Sequence, residues 1–223
     1  PAAWDYASGR GVTVAVIDTG IACEDFEGFR KGTDLADTRC VGGWNFIRDN
    51  EHANDDHGHG THVAGTIAQS TDNGIGAAGL AFDVRLMPVK VLSARGWGTM
   101  ADVAEGIRWA ADQGARIISM SLGGRKDTAV LRDAVGYARE RGALLVAASG
   151  NSQSRGNAPS YPAAYPGVLA VSATDGTTVT GFATTGDFVD IAAPGVGIWS
   201  TVWDPKQHDT YAALNGTSAA CPY

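Results

Sequence analysis

Short runs of consecutive apolar residues alternate with stretches whose apolar positions recur every three or four residues. The runs are Val12 to Ile17, Val84 to Val91, Arg116 to Met120, Leu144 to Ala148 and Val168 to Val171. Unbroken apolar character of this length suits strands buried on both faces, as in a parallel sheet. Between the runs the period becomes helical. Thr99 is placed to cap a helix carrying Met100, Val103, Ala104, Ile107, Ala110 and Ala111 on one face, with Gly114 as its stop. Asp127 is placed to cap a second, with Leu131, Ala134, Val135 and Ala138 inward and Gly142 as its stop. Strand and helix in alternation predict an α/β fold in three layers, a mostly parallel sheet with helices on both faces. The Pro-, Gly-, Ser- and Asn-rich segment from Asn151 to Pro166 reads as a long surface loop. Beyond about Thr174 shorter strands and turns are expected.

Composition agrees with a large core. Of 223 residues 44% are hydrophobic and 18% charged, which excludes a disordered chain. The net charge is -7 with no basic run, so a nucleic-acid partner is not expected. No apolar stretch reaches the roughly 18–20 residues that span a bilayer. Cys23, Cys40 and Cys221 form no C-x-x-C pair, which argues against a zinc knuckle. Cys23 and Cys40 can pair in an oxidising compartment, but the sequence leaves their separation open. The start at Pro1 reads as that of a processed protein.

In open parallel sheets ligands bind beyond the carboxyl ends of the strands. Asp18 follows the first run, Ser119 and Ser121 close the third, and Ser149-Gly150-Asn151 follows the fourth. The segment from Asp55 to Thr66 holds His57, His59 and His62. Its apolar spacing turns helical after His59, so His59 is expected near a helix start. An imidazole there can take a proton from a hydroxyl if a carboxylate orients its other nitrogen, and Asp18 is the strand-end candidate. Ser218, among small residues before Pro222, is the candidate nucleophile at the start of a further helix, where its backbone N–H can face a developing oxyanion.

Three blocks carry a family resemblance: Val16-Ile17-Asp18-Thr19-Gly20, His59-Gly60-Thr61-His62-Val63-Ala64-Gly65-Thr66 and Gly216-Thr217-Ser218. With Ser121-Leu122-Gly123-Gly124 and Ser149-Gly150-Asn151 between them, they resemble the signature segments of subtilisin-like serine proteases, in that family's order Asp, His, Ser. The resemblance implies a secreted, extracellular endopeptidase with Asp18, His59 and Ser218 as its triad and Asn151 as a side-chain oxyanion donor. It further implies polypeptide substrates and an N-terminal inhibitory propeptide before maturation. Gly96-Trp97-Gly98 and Ser121-Leu122-Gly123 are similar to the two segments that flank an extended substrate. Met100 and Val103 match a pocket for the fourth residue before the cut. Ala148, Ser149, Gly150 and Ser160 match the primary pocket, whose small uncharged walls favour large apolar side chains. The loop from Thr71 to Ala77 resembles a calcium loop. The Asn73 side chain and the Thr71, Ile75 and Ala77 carbonyls would be ligands, with Glu27 where the family has an aspartate.

Two features depart from the pattern. Ala219 stands where many members have Met, and the chain stops five residues beyond Ser218, with Tyr223 at a usual histidine position. The expectation is therefore one peptidase domain over residues 1–223, incomplete at its C-terminus. The alternatives are an inactive peptide-binding pseudoprotease and a zinc hydrolase built on His57, His59 and His62.

Overall fold

The computed structural model describes residues 2–204 and 208–223. In chain order its elements are β1 (Thr13–Asp18), β2 (Arg39–Cys40), β3 (Trp44–Asn45), α1 (His59–Ala68), β4 (Arg85–Lys90), α2 (Met100–Asp112), β5 (Ile117–Met120), α3 (Ala129–Glu140), β6 (Leu144–Ala148), β7 (Val168–Thr174), β8 (Ile191–Pro194), β9 (Ile198–Asp204), β10 (His208–Leu214) and α4 (Thr217–Ala220). The five apolar runs are β1, β4, β5, β6 and β7, each within one to three residues of its expected bounds. The short β2, β3 and β8 and the β9–β10 hairpin carry no such run.

Eight strands form one parallel sheet in the order β2-β4-β1-β5-β6-β7-β8, with β3 also paired to β4. The chain leaves β1 for β4 on one side and returns to β5 on the other, so the order reverses at β1. A crevice opens beyond the carboxyl ends of the strands at such a reversal. β1 is buried along its whole length because it is central and covered on both faces. On one face α2 and α3 bury Val103, Ile107, Leu131 and Val135 against Ile17, Val89 and Ile118. On the other, α1 buries Val63, Ala64 and Ile67 against Val14, Val16 and Leu86. α4 lies on β6 and β7 through Ala220 and Cys221.

Thr99 caps α2 as expected: its side chain accepts from Asp102 N, and Asp102 accepts from Thr99 N in return. The cap expected for α3 is displaced. Thr128 holds the N-cap position, and the Asp127 carboxylate instead bonds the Arg132 side chain and the Tyr165 hydroxyl. Gly114 and Gly142, at φ of +78° and +80°, end α2 and α3 in the left-handed region that glycine enters without strain. α4 ends at Ala220, before Pro222. Cys23 and Cys40 form a disulfide, which closes a loop around Asp34 and is worth about 3 kcal/mol by chain entropy. Among the described residues no helix is long and apolar enough to cross a membrane.

Candidate active site

Asp18 is the last residue of β1 and is wholly buried. Its Oδ1 accepts from Thr19 N at 2.7 Å and faces His59 Nδ1 at 2.8 Å. His59 is the first residue of α1, and the approach of that helix to the end of β1 depends on Gly60. A Cβ there would stand 2.1 Å from Gly20 O and 3.2 Å from Asp18 Cβ. The helix start is held by Asp55, a residue the sequence reading passed over. Its Oδ1 accepts from His57 N, Gly58 N and Thr19 Oγ1, and its Oδ2 accepts from both Thr61 N and Thr61 Oγ1. Thr19 Oγ1 in turn accepts from Gly60 N at 2.9 Å. Lys90, 1% exposed, ties the neighbouring strand ends: Nζ donates to Thr19 O, Asp56 Oδ1 and Leu92 O at 2.5, 2.6 and 2.8 Å. The signal for both was an acidic pair, Asp55-Asp56, just before the histidine segment, and a lysine inside an apolar strand.

The Asp18 charge raises the His59 pKa to about 8, against the opposing pull of desolvation. Burial lowers that of His62. The three histidines do not converge. His62 Nε2 faces Ile198 O and Ala212 O at 3.0 and 3.2 Å, His59 Nδ1 faces Asp18, and His57 is exposed. His57 Nδ1 accepts instead from His59 N at 3.3 Å.

Ser218 lies in α4 and lines the same cavity, of about 450 Å³, as His59, Asn151 and Gly216. Its hydroxyl donates to Ser121 O at 3.0 Å, and the Ser121 hydroxyl donates to Ser218 O at 2.9 Å, so the pair joins α4 to the end of β5. Asn151 follows β6. Its Oδ1 accepts from Thr217 N and Thr217 Oγ1 at 3.0 and 3.1 Å, which fixes the amide and turns Nδ2 away from Thr217. A Cβ on Gly216 would stand 3.3 Å from Asn151 Nδ2 and 3.7 Å from Ser218 N. Two donors thus border one point beside Ser218, and glycine leaves that point open.

Two further cavities adjoin. One, of about 390 Å³, is lined by His57, His59, Leu92, Arg95, Gly96, Trp97, Met100, Val103, Ser121, Leu122 and Gly123. The other, of about 330 Å³, is lined by Ser121 to Arg125, Ala148, Gly150, Asn151, Arg155, Ser160 and Ser218. Of the expected substrate-binding residues, Gly98 and Ser149 line neither. Gly98 packs against the Val91 carbonyl, and the buried Ser149 hydroxyl donates to Thr184 O.

The loop from Thr71 to Ala77 meets a carboxylate, but it is not that of Glu27. Glu27 sits on an exposed turn at φ +45°. The carboxylate belongs to Asp34, fully buried: Oδ1 accepts from Asn73 Nδ2 at 2.7 Å and Oδ2 from Ala77 N at 3.4 Å. Glu27 lies seven residues before Asp34 in the chain, and it is Asp34 that reaches the loop.

Comparison with known proteins identifies the family. The model of the Subtilase family matches residues 9–223. Thermitase of Thermoactinomyces vulgaris is 44% identical over all of this chain and 75% of its own length. Subtilisin Savinase of Lederbergia lenta is 42% identical over 97% of this chain and 74% of its own. Among solved structures, a cold adapted subtilisin-like serine proteinase superposes with a TM-score of 0.80 at 33% identity, covering 97% of this chain and 73% of that one. A protease from Pseudoalteromonas arctica superposes with a TM-score of 0.87 at 31% identity, covering 100% and 77%. Alike to these relatives in sequence and in fold from end to end, the chain belongs to the subtilase family and is a subtilisin-like serine endopeptidase.

Proposed function

We propose that residues 1–223 form one peptidase domain that cleaves peptide bonds through an acyl-enzyme on Ser218, with His59 as general base and Asp18 as its orienting carboxylate. The observation that carries this is the 2.8 Å contact of Asp18 Oδ1 with His59 Nδ1, in a cavity that His59 shares with Ser218. Asp18 accepts a hydrogen bond from Nδ1–H and so leaves Nε2 with the lone pair. The Ser218 hydroxyl rotates from Ser121 O toward Nε2, gives up its proton there and attacks the scissile carbonyl. The oxyanion is held by Asn151 Nδ2 and the Ser218 N–H at the point that Gly216 leaves open. His59 then protonates the leaving amine, and water repeats the steps to release the acyl group.

Leu92, Trp97, Met100 and Val103 favour an apolar side chain at the fourth position before the cut. The roomy primary cavity, walled by Ala148, Gly150 and Leu122, accepts large apolar side chains and gives broad specificity. The enzyme acts outside the cell, where the Cys23–Cys40 disulfide is stable, and an N-terminal propeptide inhibits it before maturation.

The donor chemistry of the Thr71–Ala77 loop fits calcium: a buried carboxylate, Asp34, meets the Asn73 amide and the Ala77 N–H of a loop that also offers backbone carbonyls. Asp34, Asn73 and the Thr71, Ile75 and Ala77 carbonyls would hold the ion. Its role there is to lock the loop, at a distance from the proposed chemistry.

The test is to replace Ser218, His59 and Asp18 singly by Ala and measure hydrolysis of casein and of an apolar tetrapeptide. Each variant is expected to lose about 10⁴-fold or more in kcat, a magnitude taken over from subtilisin, with near-UV circular dichroism unchanged. Retention of a tenth of the activity by Ser218→Ala would refute the assignment.

A further inference from the structure

The surroundings of Ser218 do not share the acidity of the chain as a whole. The net charge is -7. Yet the three cavities meeting at His59 and Ser218 are lined by Arg95, Arg125, Arg155 and the histidines 57, 59 and 62, and among the described residues by no Asp or Glu. Elsewhere on the surface some arginines are neutralised, Arg10 by Asp83, Arg132 by Asp127 and Arg141 by Asp112. No such pair forms at Arg125 or Arg155 among the described residues. Arg155 Nη2 donates to Asn151 O at 3.0 Å, which leaves most of its donors uncommitted.

Both arginines line the cavity beside Ser218, together with Ser121, Ser152 and Ser160. A guanidinium presents a planar fork of donors that matches a carboxylate. Arg125 and Arg155 are both exposed, so their field in the cavity is weakened by water and by salt. The alkyl stems of the same arginines extend the apolar walls, so a carboxylate and an apolar ring are both accommodated. A Lys or Arg side chain meets like charge.

We propose that Arg125 and Arg155 make this cavity a carboxylate-selecting subsite for the residue on the acyl side of the cut, so that Glu is taken ahead of its isostere Gln and Lys is rejected. The proposal rests on the reading of Ser218 as nucleophile, which places that residue's side chain in this cavity. Arg95, lining the adjoining cavity, adds to a positive field that draws acidic polypeptides to an otherwise acidic molecule.

The test uses fluorogenic tetrapeptides that differ only in the residue before the cut: Glu, Gln, Phe or Lys. With the wild-type chain at low ionic strength, kcat/KM for Glu is expected to exceed that for Gln about three- to tenfold, with Lys lowest. The Glu-to-Gln ratio is expected to shrink toward unity as salt is raised to about 0.5 M, a readout that needs no variant. It is expected to fall to unity in the Arg125→Gln/Arg155→Gln double variant. The ratio is the measured quantity because Arg155 also touches Asn151, so the absolute rate of that variant is free to change. Brisk cleavage after Phe with Glu no better than Gln overturns the subsite and leaves the proteolytic reading standing. A ratio above unity that survives both salt and the double substitution also overturns it. If none of the four is cleaved, the proteolytic reading fails, and the binding of the labelled Glu and Gln peptides, followed by anisotropy, decides the subsite by the same ratio.

Discussion

A single carboxylate oxygen sets the chemistry at the residue scale. Asp18 Oδ1 serves both Thr19 N and His59 Nδ1, while its Oδ2 is buried with no partner among the described residues. The buried charge raises the His59 pKa from 6.5 to about 8, which corresponds to about 2 kcal/mol favouring the imidazolium in the fold. That stabilisation is fully present below pH 6.5 and is lost as pH rises through about 8. Catalysis needs the neutral ring, so activity rises where this contribution fades. The kcat/KM of a neutral peptide is expected to climb through a limb centred near pH 8. In Asp18→Asn the limb should move toward lower pH, with kcat lower by about 10⁴-fold; an unmoved limb would show that another group titrates. Asn151 is held by Thr217 so that only its amide nitrogen is left to donate. Asn151→Ala should therefore lower kcat about 100- to 1000-fold, a magnitude known from subtilisin, with KM nearly constant. A proportionate rise in KM instead would indicate a role in substrate binding.

At the scale of elements, legibility followed apolar continuity. β1, β4, β5, β6 and β7 were readable because apolar residues run through them with little polar alternation to confuse the period, even though Ile117, Leu144, Val146 and Leu169 line an open apolar cavity on one face of the sheet. β2 and β3, two residues each, depend on the distant strand β4, and β9 and β10, which pair only with each other, mix polar and apolar residues, so no local pattern announces them. The capping of α2 was legible in Thr99 and Asp102, whereas at α3 the Asp127 carboxylate is claimed by Arg132 and Tyr165. The misreading of Glu27 has the same origin. Nothing in the local pattern marks Asp34, and only the folded loop reveals that it is the carboxylate at Asn73. From this comes a prediction for metal removal: EDTA should lower Tm of the wild-type chain by several degrees. Glu27→Gln should keep that response. Asp34→Asn should lose it, and a full response in Asp34→Asn would rule out the loop as the calcium site.

For the whole molecule, the order of the strands explains why residues 200 positions apart meet. Asp18, Ser121 and Asn151 follow the adjacent strands β1, β5 and β6, so parallel pairing alone brings them to one edge. His59 arrives on the helix that leaves that edge, and Ser218 on α4, packed over β6 and β7. The sequence placed these residues at strand ends and helix starts, but not the Asp55 network that holds them, because a carboxylate bonded to two threonines and three backbone amides carries no mark of its own. The central claim is that Ser218 is a nucleophile activated by His59. The most direct measurement is the rate of covalent labelling by a fluorophosphonate, with the modified residue located by peptide mass spectrometry. A single adduct on Ser218 is expected, forming faster as pH rises through about 8 and abolished in His59→Ala. Labelling that is absent, falls on another residue, or proceeds equally well without His59 would contradict the account.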